Sequence, residues 1–316
     1  MFYEIKNAPD GRKAILVKDL GAYSLKDTFE CGQCFRYELV KEENGYVEYI
    51  TVVGDTIIKV AQQKPGELYF IDMSEDDFLT VAVPYFTLET DYVKIKEDIL
   101  KRTDSDWLKA AADAACGIAI LKQDPWETLF SFIISQNNNI PRIRKMVRRL
   151  AAEYGVNICL QKGEKVCPLG KISDTPCENL CKECGICYTF PKAKDVYENP
   201  EKMKLSNPGF RYKYLYDAAK KVSTGKTNLD MIAAARSYEH TKNCLCEILG
   251  VGEKVAACTA LFGFGNLEAF PIDVWMRRAI DKYFDGVLDP TTLGRYAGIA
   301  QQYIFHYIRN IERDTD

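Results

Sequence analysis

The most informative segment of the chain spans residues 248–258 and reads ILGVGEKVAAC. In it Gly250 and Gly252 flank the apolar Val251, and helical patterns run up to this segment and away from it. Glycines at such a junction permit a tight hairpin between two helices and leave the first backbone N–H groups of the second helix exposed. A helix N-terminus of this kind can bind phosphate without regard to sequence. The segment therefore indicates either a phosphate-binding hairpin or a simple turn.

A second informative segment spans residues 270–278 and reads FPIDVWMRR. Asp273 stands where a helix begins, and a carboxylate there is stabilised by the exposed N–H groups and the helix dipole. Lys254 stands in the first turn of the helix after the hairpin, and lysine amines act as covalent nucleophiles in enzymes. Taken alone, the two residues fit an exposed helix lysine and an ordinary N-cap, although their chemistry would also suit a nucleophile with a supporting carboxylate.

Composition limits the classes of protein that fit. The chain has 316 residues, 47% of them hydrophobic and 28% charged, which is typical of a folded protein of about two domains. The formal net charge is −3, so contact with nucleic acid has to use a local basic patch. No apolar run is long enough for a membrane span, and the start has no apolar signal core. We expect an intracellular protein, in the cytoplasm or nucleoid if bacterial, with its twelve cysteines reduced.

The pattern of the chain changes near residue 116. Before it, alternation predicts strands at residues 13–17, 35–40, 46–53, 56–61 and 68–71, and helical patterns follow from residue 76. After it, nearly every segment has helical periodicity, apart from a cysteine-rich stretch at about residues 159–190. We therefore predict an α+β fold: an N-terminal antiparallel β domain (1–116), then a helical domain (117–316) that carries the cysteine-rich insertion.

Two adjacent helices are predicted in the middle of the chain. Asp124, Pro125 and Glu127 match a helix start with a capping box, and the apolar run at 129–134 predicts a buried helix. An Asn-rich break follows, and then residues 142–149, RIRKMVRR, carry five cations and no acid. Such a run is usually a solvated face, but after an Asn-rich break it fits phosphate contact better.

Four ordered motifs resemble one protein family. They are GQCFR at residues 32–36, SFIISQNNNI at 131–140, the hairpin at 250–252 and the helix that begins at Asp273. Together they resemble the helix-hairpin-helix glycosylases of base-excision repair, in the 8-oxoguanine DNA glycosylase/AP lyase branch. The resemblance covers most of the chain. It implies an antiparallel β domain followed by a helix-hairpin-helix glycosylase domain, acting as a monomer on double-stranded DNA with 8-oxoguanine opposite cytosine.

The resemblance implies a covalent mechanism. Lys254 would attack C1′ of a nucleotide flipped out of the duplex, displace 8-oxoguanine and form a Schiff base, from which β-elimination nicks the strand. Asp273 would stabilise the cationic sugar and orient the lysine. Two alternatives stay open: a monofunctional glycosylase for another lesion, whose known members lack this lysine, and a non-catalytic DNA-binding module, which needs neither residue.

The resemblance also implies a base-recognition set. The Gly32 carbonyl would accept the proton that 8-oxoguanine carries on N7 and guanine lacks. Gln301 would hydrogen-bond the Watson–Crick edge and Phe305, four residues later, would stack on the base. Cys258 would line the pocket beside Lys254, one helical turn away.

A further set would contact the duplex. Asn137 would fill the space left by the flipped base, Arg142 and Arg211 would contact the cytosine left behind, and Phe210 would act as a wedge. Gly250, Val251 and Gly252 would bind a DNA phosphate through the hairpin. Trp275 departs from the vertebrate pattern, which has a phosphate-contacting histidine at that position.

The cysteine-rich stretch permits two interpretations. Cys177, Cys181, Cys184 and Cys187 are close enough in sequence to share one zinc ion or iron–sulfur cluster. All four lie within one short stretch, so a loop of reduced thiols fits as well, and we assign no metal and no cofactor. No cysteine follows Cys258, so the cluster that some relatives carry after the catalytic aspartate is not expected.

Overall fold

The computed structural model describes residues 1–162 and 185–313. Its N-terminal part is an antiparallel sheet of six strands: β1 (Phe2–Asn7), β2 (Lys13–Lys18), β3 (Tyr37–Glu43), β4 (Tyr46–Val53), β5 (Thr56–Gln62) and β6 (Leu68–Ile71). Their order in the sheet is β1-β2-β6-β5-β4-β3. The sheet and the helices that follow it confirm the predicted α+β class.

The helices follow in chain order, with one inside the sheet region. The first eight are α1 (Leu25–Glu30), α2 (Glu75–Asp77), α3 (Val83–Tyr85), α4 (Tyr92–Leu100), α5 (Asp106–Ala114), α6 (Pro125–Ser135), α7 (Ile140–Tyr154) and α8 (Ile158–Gln161). The others are α9 (Ala193–Glu198), α10 (Tyr212–Ser223), α11 (Leu229–Ala235), α12 (Tyr238–Cys246), α13 (Glu253–Gly263), α14 (Val274–Tyr283) and α15 (Ala297–Arg313). A π-helical turn links α2 to α3 at Phe78–Ala82, and 3₁₀ turns lie at Pro200–Ser206, Gly209–Arg211 and Pro290–Tyr296.

Two elements of the N-terminal part are not predicted from the sequence. Strand β1 lies at the sheet edge and is mostly exposed, so it lacks the apolar alternation of a half-buried strand. Helix α1 is short, but its start carries a signal, because the Ser24 hydroxyl accepts a hydrogen bond from the Asp27 N–H. The Ser-x-x-Asp spacing therefore marks a helix start that the alternation of the surrounding strands does not reveal.

Two hydrophobic cores organise the molecule. In the sheet core, Phe86 packs against both Phe29 of α1 and Phe70 of β6. The helical core is built around α6, whose apolar run at 129–134 is fully buried as predicted, and α13 packs against it. The residues that recognise and attack a substrate in the implied family come from both parts, so the contact between the cores decides whether they meet.

The chain crosses between the two cores on both sides of the predicted boundary at residue 116. Ile95 and Leu108 precede it and belong to the helical core, whereas Ala119 and Leu121 follow it and belong to the sheet core. The two parts are therefore interleaved, and the boundary remains a prediction. Among the helices of residues 1–162 and 185–313, none combines the length and apolarity of a membrane span.

Candidate active site

The predicted hairpin joins α12 to α13. Gly250 has a φ of +78°, and a Cβ atom there would lie 2.4 Å from the Tyr214 ring, so glycine is required. Val251 is buried and its N–H donates to the Ile248 carbonyl. Gly252 is the exposed N-cap of α13 and has no side chain with which to cap it. The N–H groups of the first turn are therefore left for an anion.

Lys254 is half-buried in that first turn. Its Nζ atom lies 5.1 Å from the centroid of the Phe132 ring, on the buried helix α6. Cys258 lies one turn further along α13 and is almost fully buried. Burial raises the pKa of the Cys258 thiol, the Lys254 ammonium opposes that shift, and the Asp273 carboxylate adds to it. These three side chains therefore share one electrostatic environment.

Asp273 is the N-cap of α14, as predicted. Its carboxylate accepts a hydrogen bond of 2.9 Å from the N–H of Met276, which holds it at the positive end of the helix. It is half-buried and lines the same pocket as Lys254. The amine and the carboxylate, 19 positions apart in sequence (273 − 254), thus meet because α13 and α14 begin at one place.

One small pocket gathers the predicted catalytic and base-recognition residues. Six of the residues that line it are the predicted ones: Gly32, Lys254, Cys258, Asp273, Gln301 and Phe305. The others are Cys31, Phe132, Phe262, Pro271 and Gln302. Cys31 and Gln302 have a sequence signal only as neighbours of predicted residues, and the two phenylalanines read as core. Gln302 matters to Gln301, because its amide donates to the Gln301 Oε1 at 2.6 Å.

The pocket adjoins an open groove of about 650 Å³. The pocket itself measures about 50 Å³, which holds only a few water molecules, so a base enters only if side chains such as the half-buried Phe305 move. The groove continues past Lys254 along residues 135–141 and includes Trp275. Two guanidinium groups stack on its aromatic rings: Arg278 lies 4.9 Å from the Trp275 ring and Arg309 lies 5.1 Å from the Phe305 ring.

The loop that carries Gly32 is held by its buried neighbour Gln33. Gly32 has a φ of +88°, a conformation that favours glycine. The Gln33 amide donates to the carbonyls of Thr28 and Ala119, both at 2.8 Å, and its Oε1 accepts from the Leu121 N–H at 2.8 Å. The carbonyl of Gln33 itself accepts from the Gln123 side chain at 2.7 Å. Four hydrogen bonds thus fix the backbone next to Gly32.

The same loop is anchored by a buried ion pair between Arg36 and Glu127. The Arg36 guanidinium is 2% exposed and donates to both Glu127 oxygens, at 2.7 and 3.0 Å, and to the Tyr188 carbonyl. Asp124 caps the Glu127 N–H as predicted, but the reciprocal half of the predicted capping box is wrong, since the Glu127 carboxylate faces Arg36 instead. Burial raises the pKa of Glu127, and the charge of Arg36 opposes this.

The loop at residues 135–139 is built differently. Asn137 is exposed and has a φ of +46°. Arg211 is 3% exposed and donates to the carbonyls of Gln136 and Asn137, each at 2.8 Å. Burial lowers the pKa of Arg211, and the nearby charge of Arg142 adds to this. Arg211 thus serves the protein's own loop in this arrangement, and its contact with cytosine remains a prediction that requires these bonds to exchange.

The two remaining duplex-contact candidates are exposed. Phe210 is 50% exposed, beside Arg211, whose guanidinium lies 4.4 Å from its ring. Arg142 is exposed at the start of α7, where its backbone N–H donates to the Asn139 side chain. Asn137, Phe210 and Arg142 are therefore placed where a duplex could reach them.

The expectation that all five cations of α7 face phosphate is wrong for two of them. Arg144 and Arg148 both pair with Glu38, and both donate to the Tyr37 carbonyl. These contacts fasten α7 to strand β3. The Nη2 atoms of both arginines are therefore committed to β3, and Glu38 neutralises part of their charge.

Most of the cysteine array lies outside the described residues, namely Cys177, Cys181 and Cys184. Cys187 is buried in a small cluster with Ile186 and Tyr188. Within residues 1–162 and 185–313, no three ligating side chains come together as a metal site. The metal interpretation of the array therefore stays a prediction.

Known proteins match this chain in both its N-terminal and its C-terminal half. A family model described as "8-oxoguanine DNA glycosylase, N-terminal domain" matches residues 15–129. The "N-glycosylase/DNA lyase" of Saccharomyces cerevisiae is 27% identical over 283 residues, which is 80% of this chain and 66% of that protein. The match therefore covers just under two thirds of the length of the yeast relative.

Two solved structures match nearly the whole chain. A protein named MBOgg1, solved with a low-affinity DNA ligand, is 34% identical with a TM-score of 0.80, covering 99% of this chain and all of that one. The 8-oxoguanine glycosylase/lyase of Clostridium acetobutylicum, solved with double-stranded DNA containing cytosine opposite 8-oxoG, is 30% identical with a TM-score of 0.79, covering 99% of each chain. With this identity over its full length, the chain belongs to the 8-oxoguanine DNA glycosylase family of helix-hairpin-helix proteins.

Proposed function

We propose that this chain excises 8-oxoguanine from duplex DNA and then nicks the abasic strand. The observation that carries the proposal is the pocket in which Lys254 and Asp273 lie with the base-recognition residues Gly32, Gln301 and Phe305. The names of the relatives point the same way, since the yeast protein is an N-glycosylase/DNA lyase and the clostridial one an 8-oxoguanine glycosylase/lyase.

The chemistry begins with the lysine amine. The neutral Nζ of Lys254 forms a bond to C1′ as the N-glycosidic bond breaks, and the base leaves with the bonding electrons and takes up a proton. The Asp273 carboxylate opposes the positive charge that develops on the sugar. The attached nitrogen then loses a proton, and the C1′–O4′ bond opens as the protonated imine forms and O4′ takes up a proton. Loss of a proton from C2′ then expels the 3′ phosphate with the electron pair of its bond to C3′, which breaks the strand. Water then hydrolyses the imine and restores the lysine.

Discrimination between 8-oxoguanine and guanine rests on a single polar contact, and the other contacts hold the base in the pocket. The Gly32 carbonyl accepts the N7 proton of 8-oxoguanine, which guanine lacks, so guanine would leave that carbonyl unpaired. Gln301 bonds the Watson–Crick edge, Phe305 stacks on the ring, and Cys258 closes the side next to Lys254. The flipped nucleotide leaves a gap in the duplex that Asn137 and Phe210 are placed to fill.

The duplex is held from two sides. The hairpin at 250–252 offers backbone N–H groups to a phosphate of the lesion strand, and Arg142 is placed for the opposite cytosine. We also propose that the protein acts as a monomer inside the cell, with the predicted domain division near residue 116 and without a metal or other cofactor in the reaction. Light scattering at working concentrations tests the monomer, and a chelator that leaves excision unchanged supports the metal-free reaction.

Borohydride trapping tests the proposed function directly. Wild-type protein is mixed with a duplex that carries one 8-oxoguanine opposite cytosine, beside an undamaged duplex, and the imine is reduced to a stable covalent adduct. The variant Lys254→Gln should give no adduct and lose about a thousandfold or more in excision rate. Lys226→Gln, at an exposed position outside the pocket, is the matched control.

Each result distinguishes among the functions considered. A lesion-dependent adduct that is lost in Lys254→Gln and kept in Lys226→Gln supports the proposal. Excision without an adduct would show a monofunctional glycosylase. Neither excision nor adduct would favour another lesion or a DNA-binding module without catalytic activity.

A further inference from the structure

Helix α7 carries its cations in two adjacent rows of one polar face. Arg144 and Arg148, four residues apart, form the inner row, and both point to Glu38 on β3. Arg142, Lys145 and Arg149 have the spacing i, i+3, i+7, which places them together in the outer row. All three are exposed. The buried apolar residues Ile143, Met146, Val147 and Leu150 form the opposite face, against the core. The inner arginines therefore brace the helix, and the outer cations face solvent.

The outer cations line a groove of about 810 Å³, called here the α7 groove. Its lining residues are Glu38, Pro141, Arg142, Arg144, Lys145, Met146, Arg148, Arg149, Leu205, Ser206 and Asn207. Five of these are cations and one is an acid, in a chain whose net charge is −3. Because Glu38 is bonded to the two inner arginines, it does little to neutralise the outer row. Arg149 is partly neutralised by Glu153 at 2.8 Å, whereas Lys145 has no acidic partner among the described residues.

The α7 groove is continuous with the active-site groove. Pro141 lines both of them, at the end of the loop that carries Asn137. The opposite wall of the α7 groove ends at Asn207, three residues before the exposed Phe210. The surface that would enter the gap in the duplex therefore runs directly into a positively charged channel.

The length of the cation row matches a DNA backbone. From Arg142 to Arg149 a helix rises about 10 Å, at 1.5 Å per residue. Phosphates on one strand recur about every 3.4 Å along the DNA axis. The row therefore spans about three phosphates. A single acidic side chain of a protein partner would leave most of the row without a counter-charge.

We propose that the α7 groove binds the backbone phosphates of the DNA strand opposite the lesion, with Lys145 and Arg149 as contacts beyond the base pair that is opened. The strand is assigned by position, because the row starts at Arg142, beside the loop expected to face the orphaned cytosine. The inference rests on the proposed function only in taking duplex DNA as the ligand. It adds a binding surface that is separate from the pocket and does not depend on the chemistry of the lesion.

Salt-dependent binding tests the α7 groove. Dissociation constants of Lys254→Gln protein for undamaged and 8-oxoguanine duplexes are measured between 50 and 200 mM salt, with and without Lys145→Gln or Arg149→Gln. The slope of log K against log salt is negative, and each lost phosphate contact should make it less steep by about 0.9. Between 50 and 200 mM salt the affinity of the variant should therefore fall by a factor about 3.5-fold smaller than that of its parent. The matched control is Arg295→Gln, since Arg295 is likewise exposed but lines neither of the two grooves described above.

Shortened duplexes test which strand is bound. The opposite strand is cut back on one side of the lesion and then on the other, with the lesion strand left intact. On one of these substrates the Lys145→Gln and Arg149→Gln variants should bind like their parent, because the phosphates they contact are gone. Unchanged slopes on the full duplex would overturn the α7 groove as a DNA site, and a difference that survives both truncations would overturn the strand assignment. The salt slope is measured on undamaged DNA as well, and both experiments use the Lys254→Gln protein and read binding alone, so they stand apart from the result of the trapping experiment.

Discussion

The two loops that line the open groove beside Lys254 are built in opposite ways. The Gly32 loop is buried and fixed by Gln33 and by the Arg36–Glu127 pair, with bonds to three other segments of the chain. The loop at residues 135–139 is exposed at its tip, where the carbonyls of Gln136 and Asn137 accept hydrogen bonds from one side chain, Arg211. The side chains of Asn138 and Asn139 bond to the helices that flank the loop. In the proposed function the first loop presents a carbonyl to a base, and the second faces the duplex.

This contrast teaches where rigidity is useful. A carbonyl that discriminates between two bases by one proton must be held within a few tenths of an ångström, because a looser carbonyl would lose that hydrogen bond or accept water instead. A loop that enters a duplex must exchange its own contacts for contacts with DNA. Hydrogen bonds from one side chain, such as those of Arg211, can be exchanged in this way. The predictions below test this difference in construction.

The largest effect is expected from breaking the buried ion pair of the rigid loop. Glu127→Ala leaves the guanidinium of Arg36 without its carboxylate at 2% exposure, and should lower the free energy of unfolding by about 3–5 kcal/mol. Urea unfolding measures this. The matched control is Glu42→Gln, whose surface pair with Lys26 is nearly half exposed and should cost less than about 1 kcal/mol. Similar losses in both variants would contradict the role of the pair as an anchor.

Gln33→Ala should separate the two activities. It removes the bonds that Gln33 makes to the Leu121 N–H and to the Ala119 and Thr28 carbonyls, of which Thr28 keeps only the weak Cys31 thiol donor. This loss costs about 2–4 kcal/mol and lets the Gly32 carbonyl move. Excision of 8-oxoguanine should fall by about 100-fold, whereas cleavage of a preformed abasic site, which has no base to recognise, should stay within a few-fold of wild type.

The control for this prediction is Gln62→Ala. Gln62 is also buried and bonds the Leu25 N–H and the Tyr23 carbonyl, both at 2.8 Å, but it does not line the pocket. It should lose a similar amount of stability and keep the ratio of excision to abasic-site cleavage. If the ratio changes equally in both variants, Gln33 has only a general structural role.

A smaller effect is expected in the exposed loop. Arg211→Gln removes the tether of the Gln136 and Asn137 carbonyls, which water can reach in part, and should cost about 1–2 kcal/mol. Excision should fall about 10-fold, with faster proteolysis at residues 135–139.

Arg142→Gln, at an exposed position, should leave stability within about 0.5 kcal/mol and reduce the preference for cytosine opposite the lesion. Loss of that preference only in Arg211→Gln would reverse these assignments.

The smallest effect concerns the Cys31 thiol, next to Gly32. Burial raises the pKa of Cys31 to about 11, so at pH 8 only about one molecule in a thousand carries its thiolate. Iodoacetamide should therefore label the exposed Cys246 and spare Cys31, with faster labelling of Cys31 in Gln33→Ala and no change in Arg211→Gln. Because the folded pKa lies above the unfolded one, this group supports the folded state below about pH 9 and loses that contribution as the pH rises through 11. Rapid labelling of Cys31 in the wild type at pH 8 would contradict a closed loop.

The fold and the pocket differ in how much of each is predictable. Period-two alternation is sufficient for five strands, and caps such as Asp124 and Asp273 predict helix starts, since both signals lie within a few residues. The exposed strand β1 has no such signal. Gly32, Lys254, Cys258 and Asp273 lie in or next to the ordered motifs, whereas Gln301 and Phe305 are assigned only by the family resemblance. Phe132 and Gln302 are not predicted as pocket residues, because a core residue and a pocket residue have the same local pattern.

Local chemistry in the sequence is enough to place Lys254, Asp273 and the tight hairpin at helix starts, because each depends on a helix N-terminus or on the glycines that permit the turn. Which partner a charged or polar side chain takes depends on distant segments. Glu127 faces Arg36 rather than its own helix N-terminus, Arg144 and Arg148 face Glu38 rather than DNA, and Arg211 holds the Asn137 loop. These choices follow from packing of the helices on the sheet, because a buried charge must find its partner wherever the fold brings one within reach.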